Sequence, residues 1–329
     1  MMNNNKLTGI LPDSLGNLLK INKIFLGGNM ITGHIPSSLG RLTTLGNLDL
    51  QDNQFIGLVP ASLGNLSLMG LSLSRNKLVG PLPPQIAQIQ GLNYLDLSYN
   101  PLELGQIPNW LAKINLFSLR LVNTRIKGNL PQWLSSSSIG TLDLSCNELK
   151  GTLPTWLGNM SILWSLNLSN NGFYSTIPNE FKNLSLQSVD LHSNNFSGPL
   201  EFLFDLPRAK YYYLDVSGNA FTGPIDKDIG SKLAMEPITS LILSNNPLGG
   251  RIPESIGNLT RLQVLELAEN QILGTIPKKV LNLEKLEEFD VSRNRLYGEI
   301  PPHKANIPTS SFLGNSDLCG TPLPPCKHL

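Results

Sequence analysis

An asparagine returns down this 329-residue chain at nearly constant intervals. It stands at Asn5, Asn29, Asn53, Asn76, Asn100, Asn147, Asn171, Asn194, Asn219, Asn246, Asn270 and Asn294. Thr124 holds the same register between Asn100 and Asn147, and the intervals run from 23 to 27 residues. Leucines surround each in the pattern L-x-x-L-x-L-x-x-N-x-L, as in "LNYLDLSYN". A unit of this length cannot bury its own apolar face, and only stacking of neighbours makes a continuous core. A chain of this length would ordinarily suggest about two globular domains; the repeat predicts one elongated stack of thirteen units, the first of them partial.

Each column has a physical reason. Leu95 and Leu97 lie two apart, so both face one side of a short strand, into the core. Asp96 and Ser98 point the other way, onto the open face of a sheet. The asparagine follows where the chain turns inward. Its amide offers two donors and an acceptor, enough to satisfy buried backbone groups of adjacent coils. Thr124 has only a hydroxyl and is expected to do this less completely. The glycine four residues on (Gly9, Gly33, Gly57, Gly80, Gly128) permits a tight bend. The proline seven residues on (Pro12, Pro36, Pro60, Pro83, Pro131) fixes φ and lacks a donor, which suits an extended convex stretch rather than a central strand.

The tail "NKLTGILPDSLGNL", with its G-x-I/L-P run, resembles the plant-specific class of leucine-rich repeat. Over essentially its whole length the chain is similar to the ectodomains of plant receptor-like kinases and receptor-like proteins. It is similar also to secreted relatives such as polygalacturonase-inhibiting proteins. The resemblance implies an α/β solenoid: a right-handed superhelix with one parallel β-sheet on the concave face and short 3-10 or irregular convex segments. It divides the chain into a solenoid over residues 1–301 and a C-terminal cap over 302–329. The ending "SFLGNSDLCGTPLPPC" is similar to the family's cap, whose two cysteines form a disulfide. That implies a Cys319–Cys326 bond, the alternative being two thiols; so short a loop closes at small entropic cost. Cys146, in "LDLSCN", reads as a small filler at a variable position. The family's usual signal peptide and cysteine-bearing N-terminal cap have no counterpart in "MMNNNKLTGILPDSLG". The expectation is an upstream truncation that leaves Leu7, Ile10 and Leu11 uncovered and the chain prone to self-association.

Charge narrows the function classes. Lys and Arg number 25 against 24 Asp and Glu, whereas a nucleic-acid binder needs a basic field. No window approaches the roughly 20 apolar residues of a membrane span. Kinase motifs are missing. The four histidines, His34, His192, His303 and His328, include no pair at metal-ligand spacing, so neither metal nor cofactor is expected. An acidic column (Asp49, Asp96, Asp143, Asp190, Asp215, Glu266, Asp290) would place carboxylates about 5 Å apart on neighbouring strands. It could hold paired acids or cations, but the reading taken is structural, with these residues bonding nearby serines and backbone. The chain therefore reads as a non-enzymatic recognition module of plant signalling or defence, at the cell surface or in the cell wall. Its expected partners are a protein, peptide or cell-wall oligosaccharide, and a co-receptor that itself carries leucine-rich repeats. The alternative is a truncated ectodomain of a membrane-anchored receptor-like kinase or receptor-like protein.

Candidate ligand-binding residues are those that leave the consensus on the concave face. Phe25, Arg120 and Ile242 replace the usual aspartate. Arg75, Tyr94, Tyr99, Asn123, Arg125, His192, Tyr213 and Arg293 add large or charged groups beside that column, and exposed aromatics and arginines are enriched at binding hot spots. Tyr94 and Tyr99 are expected to join Arg120, Asn123 and Arg125 of the next repeat in one basic, aromatic patch. Peptide-binding relatives carry two arginines two residues apart on one strand; here that strand offers Ser118 and Arg120, so the motif is half present. Six N-x-S/T sequons occur, at Asn65, Asn159, Asn167, Asn183, Asn195 and Asn258, about as many as composition alone would give. Residues 194–253 are the least regular, with Glu201 and Asp226 in the proline column, and are expected to form a loosened loop.

Overall fold

The computed structural model describes residues 2–326; Met1 and the stretch 327–329, with His328 and the end of the expected cap, lie outside it. Two compact units divide the chain, residues 1–151 and 152–329. Within each, most coils run from a short strand through a turn to a 3-10 segment, which is an α-helical turn at Glu201–Phe204 and Lys278–Leu281. In the first unit the main parallel sheet takes Lys23–Phe25, Asn47–Asp49, Gly70–Ser72, Tyr94–Asp96, Ser118–Arg120 and Thr141–Asp143 in chain order. In the second it takes Ser165–Asn167, Ser188–Asp190, Tyr213–Asp215, Ser240–Ile242, Val264–Glu266 and Glu288–Asp290. Both are leucine-rich repeat solenoids.

The leucine columns make the core. Leu48, Leu50, Leu71, Leu73, Leu95 and Leu97 are all buried, and burial of each such side chain stabilises the fold by about 1.5–3 kcal/mol. In the second unit the position two after the ladder asparagine carries Phe173, Phe196 and Phe221, whose rings stack at 6.1 and 6.4 Å. Prolines start most of the 3-10 segments; Ile229–Ser231, which follows Asp228, is an exception. Pro36 and Pro60 stand extended at φ of −64° and −66° before Ser37–Arg41 and Ala61–Asn65. The missing proline N–H costs nothing there, because the first amides of a helical turn lack partners in any case.

The asparagine ladder ties coil to coil. Asn53 Nδ2 donates to the Leu26 carbonyl of the preceding coil at 3.0 Å and to Leu50 of its own, while its Oδ1 accepts the Ile31 amide at 3.0 Å. Asn76, Asn100, Asn246, Asn270 and Asn294 repeat both kinds of bond. Thr124 is fully buried, and its hydroxyl donates to the Leu121 carbonyl of its own coil at 2.8 Å.

Three features extend the sequence reading. Further rows of short parallel strands follow the ladder residues, such as Thr8–Ile10, Met30–His34, Gln54–Gly57 and Lys77–Leu78 in the first unit. The segment that was expected to loosen is packed: Glu201–Phe204 is a helical turn with Leu203 and Phe204 buried, and Asp226 holds Lys232 Nζ at 3.0 Å. The ladder also continues past Asn294 into the terminal segment. Asn315 accepts the Leu296 amide at 3.0 Å and donates to Val291 at 3.0 Å, and the strand Asp317–Cys319 pairs with Arg295–Glu299.

Candidate functional site

The residue before each ladder asparagine sits in the left-handed region. In the first unit these include Asp52, Arg75, Tyr99 and Cys146, together with Asn123 before Thr124, all with φ between 50° and 55°. Such angles are uncommon outside glycine and cost of the order of 1 kcal/mol for a large residue. The ladder bonds on the next residue hold the turn there. The consequence is a line of exposed side chains whose identity the core leaves open. Arg75 and Tyr99 take adjacent places on it, and the Arg75 guanidinium stacks 4.3 Å from the Tyr99 ring centre. Arg75 also lies 3.7 Å from Asp52.

Tyr94 and Arg120 meet on the sheet itself. Asp96 pairs in register with Arg120, and Arg120 with Asp143, so the arginine interrupts the acidic column between two carboxylates. Its guanidinium carbon lies 6.0 Å from the centre of the Tyr94 ring. The Tyr94 hydroxyl donates to Asp96 Oδ2 at 3.1 Å. Burial, with the Asp96 charge behind it, pushes the Tyr94 phenol up to about 12, so it remains a donor at any physiological pH. Arg120 is exposed and, among the described residues, closes no ion pair, so its donors stay open to a ligand. Asn123 and Arg125 are exposed in the following turn, Arg125 also left-handed at φ 59°. Of the expected patch, then, Tyr94 contacts Arg120, while Tyr99 carries Arg75 of the preceding repeat on its ring. Phe25 and Tyr94 wall a cavity of about 230 Å³, floored by Asn47, Asp49, Gly70 and Ser72.

The acidic column is largely occupied by its own chain. Asp143 Oδ1 accepts the Ser145 amide at 3.1 Å and hydroxyl at 2.7 Å. Asp215 does the same with Ser217 at 2.9 and 2.7 Å, and Asp290 accepts the Ser292 amide at 2.8 Å. Burial pushes the Asp143 and Asp190 carboxyls above their ordinary range, against those hydrogen bonds and against Arg120 and His192 respectively.

His192 stands where most coils have serine. Its Nδ1 lies 2.7 Å from Asp190 Oδ1 and 3.7 Å from Asp215 Oδ2, and its Nε2 lies 2.7 Å from Asn170 Nδ2. Tyr213 donates to Asp215 Oδ2 at 3.2 Å, which brings it into the same group. Burial and the Asp215 carboxylate together push the Tyr213 phenol well above its ordinary value. Ile242 lies between Asp215 and Glu266 as an apolar gap in the column. Arg293 is bound to Glu269 at 2.5 Å and stands apart from these groups in the strand order.

Known proteins agree with this geometry. Models of the leucine-rich repeat match residues 137–196 and 236–296, and residues 1–18, 44–66 and 91–114. Receptor-like protein 36 of Arabidopsis thaliana is 36% identical over 195 residues, which is 59% of this chain and 27% of that protein. The chain belongs to the leucine-rich repeat family. It spans about a quarter or less of the length of the curated relatives it matches. Among solved structures, a TDR receptor superposes with a TM-score of 0.76 at 28% identity, over 96% of this chain and 59% of that one. The ectodomain of the Arabidopsis receptor kinase HAESA, in complex with an extended IDA peptide hormone, gives 0.70 at 29%, over 99% and 62%.

The remaining sequence-derived positions are spread over this repeat scaffold. Cys319 and Cys326 form a disulfide, Cα atoms 5.0 Å apart, while Cys146 carries an exposed thiol outside it. Asn65, Asn159, Asn183 and Asn258 each end a 3-10 segment and are exposed, as is Asn195 on the strand Asn195–Pro199. Asn167 differs. It lies half-buried in the main sheet, in the aspartate column, and its Oδ1 accepts the Ser169 amide and hydroxyl at 3.0 and 2.7 Å. Among the described residues no helix is long and apolar enough to cross a membrane.

Proposed function

We propose that the chain is a non-enzymatic, extracellular recognition module of plant signalling or defence that takes an extended acidic ligand on the open face of its main sheet. The observation that carries this reading is Arg120, exposed beside Tyr94 in the middle of an acidic column, its donors unspent. A guanidinium so placed can bind a carboxylate with two parallel hydrogen bonds, and the ring beside it adds a stacking surface. Asn123 and Arg125 in the next turn, and the Arg75–Tyr99 stack, would extend the contact beyond one strand. Asp96, Asp143, Asp215 and Asp290 are tied to the serine two residues on, which supports binding rather than catalysis. HAESA, of similar fold, is described with a peptide hormone and with the co-receptor SERK1, and supports a peptide and a co-receptor as the partner classes here. An oligogalacturonate fragment offers the same repeated carboxylates. Glycans on the exposed sequons, with Asn167 spared, would leave the sheet face open.

The test is calorimetric titration with two probes: an oligogalacturonate and an acidic peptide with a free terminal carboxylate. We expect Arg120→Ala with Arg125→Ala to weaken binding about tenfold or more, and Lys150→Ala, away from the main sheet, to leave it unchanged. Equal binding by the double variant and the control, both folded, places the site elsewhere.

A second reading is favoured by the relatives: all those compared above are receptors or receptor-like proteins, and the chain matches only part of each. On it, the chain is the ectodomain segment of a membrane-anchored receptor. Sequencing full-length transcripts decides between them, since a downstream membrane span supports the second reading and an upstream signal peptide with an early stop supports the first.

A further inference from the structure

The carboxylates of Asp190 and Asp215 stand on adjacent paired strands. The column on either side of them is uncharged, Asn167 before and Ile242 after. Among the described residues no lysine or arginine pairs with either acid; the only cationic partner is His192. One ligand atom from each of the three residues lies within 4.8 Å of the others. We propose that Asp190, His192 and Asp215 form a binding site for a divalent first-row cation of the zinc kind.

The geometry suits such an ion. Bonds of about 2.1 Å require ligand atoms roughly 3 to 3.5 Å apart. The separations from His192 Nδ1, 2.7 Å to Asp190 Oδ1 and 3.7 Å to Asp215 Oδ2, bracket that range. An ion entering between them takes the place of the proton that now bridges His192 and Asp190. The imidazole then carries its proton on Nε2, and one turn of the Asn170 amide presents an oxygen to receive it across the same 2.7 Å. Asp215 is already oriented from behind by Ser217 and Tyr213. One nitrogen and two carboxylate oxygens suit zinc or manganese better than calcium, which takes six to eight oxygens.

The site is also partly open. The His192 side chain is 30% exposed, Asp190 14% and Asp215 9%, so the ion would keep positions facing solvent on the sheet. Water would fill them, or a carboxylate of a bound partner. The sequence expectation of no metal followed from looking for two histidines; this site uses one, with two acids contributed by successive repeats.

The experiment titrates Zn²⁺ alone, and Ca²⁺ alone, into the chelator-stripped 329-residue chain near pH 7, with heat as the readout. It is independent of the proposed carbohydrate or peptide ligand. We expect one Zn²⁺ per chain, and Zn²⁺ preferred over Ca²⁺. His192→Ser, which installs the residue of most other coils, and Asp190→Asn are each expected to weaken binding about tenfold or more. His34→Ala and Cys146→Ser should leave it unchanged. Near-UV circular dichroism confirms that each variant is folded. The proposal is overturned if no saturable site is found, if Zn²⁺ binding survives His192→Ser, if a control substitution removes it, or if Ca²⁺ binds better than Zn²⁺.

Discussion

The Thr124 hydroxyl and the Leu121 carbonyl, 2.8 Å apart, complete a turn without crossing to the preceding coil. A ladder asparagine makes that same bond and two more, to a carbonyl and an amide of the coil before it. At this step those groups are the Leu97 carbonyl and the Leu102 amide, and the amide turns instead to the Asn100 carbonyl at 2.7 Å. Thr124→Asn is therefore expected to stabilise the first unit by about 1 kcal/mol, the net worth of one added buried hydrogen bond. Asn53→Ala, which strands the Ile31 amide and leaves the Leu26 carbonyl with Asn29 alone, should cost about 2–4 kcal/mol. Urea denaturation of the two variants checks both signs; a destabilised Thr124→Asn would mean the threonine site is too tight for the longer side chain.

Most of the scaffold was legible because each coil repeats one local rule. The paired leucines, the inward asparagine and the proline before most 3-10 segments read directly as burial, hydrogen bonding and fixed φ. Asn315 was missed because it follows Asn294 by only 21 residues and the leucine pattern breaks around it. The site was harder to read because it depends on turn conformation. That Tyr99 meets Arg75 rather than Arg125 follows from the left-handed turn each occupies, which the varied residues there do not announce. His192 likewise gains its meaning from Asp215, a residue of the next coil that only strand register brings beside it.

Close stacking of the 3-10 segments sets a second limit. A Cβ on Gly40 would lie 2.3 Å from the Ser62 carbonyl oxygen, and one on Gly64 equally close to that of Gln85. Backbone cannot retreat there without opening the coil stack. Gly40→Ala is expected to cost about 2 kcal/mol or more. Gly46→Ala, whose Cβ meets nothing nearer than the Asn22 carbonyl at 3.7 Å, should change stability by less than about 0.5 kcal/mol. Similar melting temperatures for the two variants would show that the helices can slide apart.

The disulfide closes a loop of seven residues' separation at the end of the terminal strand. Non-reducing peptide mapping should recover Cys319 joined to Cys326, with Cys146 alkylated in the native protein. Replacing both terminal cysteines with serine should loosen that segment by about 2–3 kcal/mol, the loop-closure entropy of so short a ring. Hydrogen exchange localises the effect: faster exchange at Leu318 and Ile300, which are tied to this strand, with the first unit unaffected. A disulfide that includes Cys146 would refute the pairing.

Asp143 carries a charge that the fold disfavours, and the chain contains its own control. Burial raises the Asp143 carboxyl above its unfolded value of 3.8, the Ser145 bonds and Arg120 notwithstanding. A group whose folded pKa is raised gives its full stability below the unfolded pKa and loses it as pH rises through the folded value. Ionised Asp143 is thus a net cost at neutral pH. Asn167 occupies the same column and makes the same two bonds to its serine, at 3.0 and 2.7 Å, without the charge. Asp143→Asn should keep the hydrogen bonds, stabilise the first unit at pH 7, and leave its stability unchanged near pH 3, where the aspartic acid is already neutral. Urea denaturation at the two pH values measures the difference. A variant that is less stable at pH 7 would show that the attraction between Asp143 and Arg120 outweighs the burial of the carboxylate.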